Sequence, residues 1–177
     1  MPWQEQMGTI GRALGRSDKA AEVVSDVGAR IAGEREANPA FAGLTVVLAG
    51  GVAGGSFGVF GAQDPKVRLL TELGFTSPEA IDRATGKEHY GEISRERLRL
   101  IDEDVLIFVG DPGLRDDPLF RRLDVVREQR TVNLDEDDAA YPALNFNTPL
   151  SIPFVLDTLV PRLAAAATGN GATPSSP

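Results

Sequence analysis

Three short apolar runs separated by helix signals constrain the fold more than any other feature of this chain. The runs are LTVVLA at residues 44–49, DVLIFV at 104–109 and TVNL at 131–134. Unbroken apolar runs of about four to eight residues are typical of strands that are buried on both faces. Parallel strands joined by helices bury both faces in this way. We therefore predict an α/β fold: a three-layer lobe with a mostly parallel central sheet and helices on both faces.

Helix signals fill the segments before and between these runs. Residues 2–36 place apolar side chains three and four positions apart, with an interruption at Gly15, so we predict two helices and assign Ser17 as the N-cap of the second. Asp-Pro and Ser-Pro pairs combine a cap with a first-turn proline, and they predict helix starts at residues 64, 77 and 117. Ser94 is a further predicted cap. A loop is expected over residues 141–148 and a closing helix over 149–167.

The length and composition fit one compact domain with short additions. The chain has 177 residues, of which 42% are hydrophobic and 25% are charged. We predict N-terminal helices over residues 1–40, an α/β domain over 41–166 and a disordered tail over 167–177, where Gly, Thr, Ser and Pro dominate.

Charge and hydropathy exclude several classes of protein. The formal net charge is −8, so phosphates are repelled overall and we expect no nucleic-acid partner. There is no cysteine, which excludes disulfides and thiolate metal sites. No apolar stretch approaches the roughly 18 residues of a membrane span. The sequence as given also shows no export signal and no lipid-anchor cysteine.

The segment LAGGVAGGSFGVFGAQDP at residues 48–65 raises the question of a phosphate-binding loop. Such a loop needs a lysine and a helix that begins at once. The nearest lysine is Lys66, and SFGVF after Gly55 alternates like a strand. We predict a sharp turn followed by a short strand over residues 57–60. A small Rossmann-like enzyme that uses this loop on a nucleotide is the alternative.

Three loops follow the predicted strands, at residues 50–60, 110–116 and 135–148. Ligands of open α/β sheets bind at the carboxyl ends of the strands, and loop aromatics and amides are typical of small-molecule sites. For each phenylalanine the alternative is packing in the core. The candidate ligand-binding residues are Ser56, Phe57, Phe60, Asp111, Arg115, Tyr141, Asn145, Phe146 and Asn147.

No catalytic or metal-binding group stands out. His89 is the one histidine and no G-x-S-x-G sequence occurs, so we nominate no catalytic residue and expect no enzyme. The acidic run DEDD at residues 135–138 has the ligand type of a hard cation, but a loop with like charges is more often a solvated surface. We therefore predict no metal site.

Four segments together resemble a known family. They are FAGLTVVLAGGVAGGSFGVFGAQDPKVRLLTELGF, GEISRERLRLIDEDVLIFVG, PLFRRLDVVREQRTVNLDEDDA and FNTPLSIPFVLDTLVPRL. In this order, over residues 41–163, they resemble the C-terminal lobe of an iron-siderophore substrate-binding protein of an ABC importer. The helices before residue 41 resemble the connector between the two lobes, and the N-terminal lobe is missing.

The resemblance implies a binding function without catalysis. The three loops would grip a ferric siderophore, and iron(III) would be carried by that ligand, with no cofactor bound directly. Family members are extracytoplasmic and membrane-associated, and an acidic residue on each lobe docks on arginines of the ABC permease. Glu96 matches the C-lobe position. A truncated lobe without complete receptor function remains a further alternative.

Overall fold

The computed structural model describes residues 2–52, 55–110 and 112–171. Its centre is a five-stranded sheet of order β3-β2-β1-β4-β5. The strands are β1 (Val46–Val52), β2 (Ser56–Phe60), β3 (Tyr90–Ile93), β4 (Val105–Val109) and β5 (Thr131–Leu134). β4 pairs in parallel with β1 and β5, and β2 alone runs against its neighbours β1 and β3. The predicted α/β class with a mostly parallel sheet is confirmed.

The strands match the apolar runs, with one exception. β1, β4 and β5 lie on the three runs, and β2 confirms the short strand predicted after Gly55. β3 has no counterpart among the predictions. It is an edge strand with the sequence YGEI, and only Ile93 is buried, so no apolar run in the sequence predicts this strand. Its pairing with β2, which brings Tyr90 opposite Phe60, is a tertiary interaction.

Seven α-helices are present among the described residues. They are α1 (Trp3–Ala13), α2 (Ser17–Ala37), α3 (Pro65–Glu72), α4 (Glu79–Thr85), α5 (Asp124–Arg127), α6 (Ala140–Phe146) and α7 (Ile152–Ala167). Short 3₁₀ turns cover Pro39–Phe41, Arg95–Ile101, Pro112–Asp116 and Phe120–Arg122.

The predicted helix caps have mixed outcomes. At α3 the Asp64 carboxylate accepts a hydrogen bond from the Lys66 backbone N–H at 2.9 Å, so this cap is confirmed. Ser17 is wrong as a cap: it is the first helical residue, and Arg16 precedes it without a side-chain cap bond. Ser94 likewise makes no cap bond, and the segment after it is a 3₁₀ turn.

The loop predicted over residues 141–148 is also wrong for most of its length, because α6 occupies it. The helix forms because Ala140 and Leu144, four residues apart, are both buried in the core. The closing helix is confirmed as α7, which begins at Ile152 and contains Pro161.

Each face of the sheet has its own hydrophobic core. Along β1 the side chains alternate: Val46 and Leu48 join the core under α2, α3 and α7, whereas Val47 and Ala49 join the core under α4 and α5. This arrangement matches the predicted helices on both faces.

The first core also includes Trp3, from the N-terminal helix α1, and Ile31 of α2. These helices therefore pack on the same core as the sheet. Their assignment as a connector stays a prediction. At the other end of the chain, the Gly171 N–H donates to the Gln129 carbonyl at 2.9 Å, and residues 172–177 of the predicted tail lie outside the described residues.

Candidate functional site

A shallow pocket of about 290 Å³ opens at the carboxyl ends of β1 and β4. This is the edge of an open α/β sheet where ligands bind. The hairpin partner β2, the edge strand β3 and the segment before α6 complete its walls. The lining residues are Gly50, Gly51, Val52, Gly58, Phe60, Tyr90, Val109, Gly110, Glu136 and Tyr141.

Two paired glycines form the floor of this pocket. Gly50 on β1 lies opposite Gly58 on β2 in the antiparallel register. A Cβ atom at Gly58 would stand 2.5 Å from the Tyr90 ring, and one at Gly50 would stand 2.8 Å from a methyl group of Val109. Glycine at both positions therefore lets neighbouring side chains lie flat against the sheet.

The strands β1 and β2, on either side of residues 53–54, pair as a hairpin. Gly55 has a φ of +84°, in the region that glycine favours, and β2 begins at the next residue. A nucleotide-binding loop would place a helix there. The strand after Gly55 therefore weighs against the Rossmann-like enzyme.

Aromatic side chains form one wall of the pocket. The rings of Phe60 and Tyr90 pack edge to face with centroids 5.4 Å apart. On Phe60 the Lys66 ammonium lies 4.2 Å from the ring centroid, and it is held there by Asp64 at 3.1 Å. The Phe60 ring is thus fixed from two directions.

The phenol of Tyr90 is partly exposed and lies beside the Glu92 carboxylate. Its side chain is 39% exposed. Burial of the remainder raises the pKa of Tyr90 above its usual value of 10, and the neighbouring Glu92 carboxylate raises this pKa further. Tyr90 therefore stays protonated at neutral pH, and its O–H donates to the Glu92 carboxylate, which leaves the phenol oxygen as an acceptor for a ligand donor.

The opposite wall comes from Glu136 and Tyr141, which flank the start of α6. Other carboxylates of the acidic run are engaged elsewhere: Asp135 accepts from Arg115, and Asp138 pairs with Arg162 at 2.6 Å. Within the described parts of the chain, no three acidic or histidine side chains converge as a metal site would require.

Two of the predicted ligand-binding residues, Phe60 and Tyr141, line the pocket. Ser56 lies near it on the same face of β2, and its hydroxyl donates to Glu92 at 3.3 Å. Asp111 lies outside the described residues. The exposed Asn145 and Phe146 at the end of α6 are not among the described lining residues.

Phe57 requires a correction, because its side chain is 0% exposed. It packs in the core against Phe108 and Phe120, with ring centroids 6.3 and 6.4 Å away. Successive residues of a strand point to opposite faces, so Phe57 points away from the pocket that Phe60 lines.

Asn147 and Arg115 also have contacts that differ from the prediction. Asn147 is only 5% exposed, and its side-chain amide donates to the Pro65 carbonyl at 2.7 Å, so it joins the turn before α7 to the start of α3. Arg115 is paired with Asp135 and lines a separate depression beside β5. Neither side chain is presented to the pocket.

Tyr90, Glu136 and the paired glycines of the floor are not among the candidate residues predicted from the sequence. The one available signal was the aromatic residue of the HYGE sequence at residues 89–92, which follows the helix predicted to start at residue 77. The position of Tyr90 depends on its pairing with Phe60 across two strands, which no local pattern reports.

Glu96 lies on a different surface from the pocket. It is exposed on the Arg95–Ile101 turn and lines a groove with the arginines at positions 95, 99, 122 and 127. Arg95 donates to Asp117 at 2.6 Å. Burial alone would raise the pKa of Asp117, but hydrogen bonds from Arg95 and from the Leu119 backbone lower this pKa below its usual value of 3.8.

The architecture is that of the substrate-binding proteins of iron-siderophore ABC importers. PiaA of Streptococcus pneumoniae in complex with ferrichrome is 24% identical, with a TM-score of 0.82 over 96% of this chain and 59% of PiaA. A periplasmic solute binding protein of Mycobacterium smegmatis is 26% identical, with a TM-score of 0.78 over 94% of this chain and 57% of that protein. FhuD2 of Staphylococcus aureus with ferrioxamine B is 18% identical, with a TM-score of 0.79 over 94% of this chain and 66% of FhuD2.

These likenesses show the fold, and the chain spans about three fifths of the length of these proteins. Comparisons with protein-family models and with curated proteins give no significant match. No helix in residues 2–52, 55–110 and 112–171 combines the length and apolar composition needed to cross a membrane.

Proposed function

We propose that this chain is the C-terminal lobe of the substrate-binding component of an ABC importer, which captures a ferric siderophore without catalysis and docks on the permease. The observation that carries the proposal is the aromatic-walled pocket on a glycine floor at the carboxyl ends of β1 and β4. The same fold holds ferrichrome in PiaA and ferrioxamine B in FhuD2.

The pocket suits one face of a bulky, rounded chelate. The glycines at positions 50 and 58 let the Val109 side chain and the Tyr90 ring lie flat on the sheet, so the base of the pocket stays low and a large ligand can enter over it. The rings of Phe60, Tyr90 and Tyr141 offer apolar area, and the two phenols can hydrogen-bond to the ligand. Iron(III) would be held entirely by the siderophore, and the protein would hold the siderophore.

The pocket is too small and too open to enclose such a ligand by itself. Its volume of 290 Å³ lies at the lower end of the roughly 300–1,000 Å³ of sites that bury most of a small molecule. The second wall would come from an N-terminal lobe, and the importer would work outside the cytoplasm at the membrane. A lobe that folds but has no complete receptor function is the alternative.

We expect this chain alone to bind ferrichrome and ferrioxamine B with dissociation constants weaker than about 1 μM, because half of each ligand stays in water while the cost of association remains. Calorimetric titration measures this. Tyr90→Ala should weaken binding roughly threefold to tenfold. Phe154→Ala, which removes an exposed ring on α7 that is not among the described lining residues, is the control and should leave binding unchanged.

Two results would contradict this prediction. Nanomolar affinity of the isolated chain would show that the pocket is complete without a second lobe. Absence of binding to either chelate up to about 1 mM, near the weak limit of specific recognition, would refute the ligand class itself.

We further propose that Glu96 contributes to permease docking. Its carboxylate is exposed and lies on the Arg95–Ile101 turn, apart from the pocket. In a receptor that contains both lobes, Glu96→Gln should reduce siderophore uptake by permease-containing vesicles partially, about tenfold or less, and leave siderophore affinity unchanged. An exposed charge at the edge of an interface acts mainly on the rate and orientation of docking. Uptake should therefore fall while siderophore affinity stays the same.

Glu79→Gln is the matched control for this experiment, because Glu79 is also an exposed carboxylate at the start of a short helix. Unchanged uptake by the Glu96 variant would remove Glu96 from the docking role. An equal loss of uptake and of siderophore affinity would have the same consequence.

A further inference from the structure

Among the described residues around the pocket, the basic side chains are paired within the protein, whereas a carboxylate is not. Lys66 packs on the Phe60 wall of the pocket, Arg115 lies in the depression beside β5, and both are already neutralised within the protein. The Lys66 ammonium is held by Asp64 at 3.1 Å, with both side chains nearly buried, and the Arg115 guanidinium is held by Asp135. Neither cation is free to meet an anionic ligand without first losing its partner, which is costly for a nearly buried pair.

No lysine, arginine or histidine is among the described residues that line the pocket. The residues outside the described ranges contain none of these types either. One carboxylate does line the pocket, that of the exposed Glu136, and it has no ion-pair partner among the described residues. Glu92 on the edge strand β3 adds a second negative charge on the same face of the sheet, opposite Gly58.

The aromatic walls favour the same sign of ligand charge. The face of an aromatic ring carries negative potential and attracts cations. Phe60 already binds a cation in this way, because the Lys66 ammonium lies over its ring. Tyr90 and Tyr141 line the pocket together with Glu136. A positive group that enters the pocket therefore meets aromatic side chains and a carboxylate together.

We infer that this pocket contains a subsite for a positively charged group of the ligand, with Glu136 as the residue that determines charge specificity. The inference rests on the proposed function and adds a ligand class to it: ferric chelates that carry a free ammonium. A neutral chelate of the same shape binds less tightly, and a ferric tris-catecholate, which has a large negative charge, is disfavoured most.

Ferrioxamine B and its N-acetyl derivative provide the test, because acetylation removes the charge of the pendant ammonium and leaves the iron-binding groups unchanged. By calorimetry on this chain, ferrioxamine B should bind about two- to fivefold more tightly than the acetylated chelate. The ratio should fall towards one as salt is raised, because exposed charges are screened.

Glu136→Gln should bring this ratio to about one by weakening the binding of ferrioxamine B more than that of the acetylated chelate. Glu22→Gln is the matched control, since it changes the net charge equally at an exposed site on α2 and should preserve the ratio. If both chelates bind the unaltered chain equally, or the ratio survives Glu136→Gln, the charged subsite is refuted while the proposed function stands. If neither chelate binds, both proposals are overturned.

Discussion

Phe57→Ala should lower the free energy of unfolding by about 3–5 kcal/mol. The side chain is 0% exposed and packs against the rings of Phe108 and Phe120 in the core on one face of the sheet. Its truncation removes buried apolar area and leaves a cavity that these neighbouring rings fill only in part. Urea denaturation followed by circular dichroism measures the change.

Phe146→Ala is the matched control, because it makes the same chemical change at a side chain that is 75% exposed. We expect its free energy of unfolding to change by no more than about 0.5 kcal/mol. The two phenylalanines lie in segments with similar sequence signals but opposite burial. Equal effects of the two substitutions would contradict the buried position of Phe57 and restore it as a candidate ligand contact.

Gly50→Ala should lower the free energy of unfolding by about 1–3 kcal/mol. The new Cβ would stand 2.8 Å from a Val109 methyl group and 2.9 Å from the Val109 carbonyl oxygen. The methyl group can rotate away, but the carbonyl belongs to the β4 backbone that pairs with β1. The two strands would therefore have to separate locally, and the floor of the pocket would be raised.

Gly33→Ala is the control and should change the free energy of unfolding in the opposite direction. Gly33 lies in α2, with no atom within 4 Å of the position of an added Cβ. Alanine there should raise the free energy of unfolding by about 0.5–1 kcal/mol through helix propensity. Thermal and urea denaturation of both variants measure these changes in the free energy of unfolding. A stabilising Gly50→Ala would mean that the floor of the pocket has room for a side chain.

Local signals in the sequence were sufficient for much of the fold. The runs that form β1 and β4 are apolar at nearly every position because both faces of these strands are buried. The α3 helix begins at Asp64-Pro65 because the carboxylate accepts a backbone N–H and proline needs no hydrogen bond in the first turn. Such signals involve residues close in sequence, so they can be read without the tertiary structure.

The pocket could be predicted only in outline. The rule that ligands bind at the carboxyl ends of strands selected loops that contain Phe60 and Tyr141, and both side chains line the pocket. The same rule assigned Phe57 to the pocket, although a strand that begins at Ser56 directs its second and fifth residues to opposite faces. A shift of one residue in a strand exchanges its two faces, and the loop boundaries were not known to that accuracy.

The amino-acid sequence by itself determined which segments form the buried strands and most of the helices, and that a glycine-rich turn precedes an aromatic strand. Tertiary structure alone decided that YGEI becomes the edge strand β3, that α6 replaces a loop, and that Tyr90 and Glu136 meet at one pocket. The physical reason is the separation along the sequence over which each interaction acts. Burial and capping act within a few residues, whereas strand pairing and pocket formation join segments more than thirty residues apart, as Gly58 and Glu92 show.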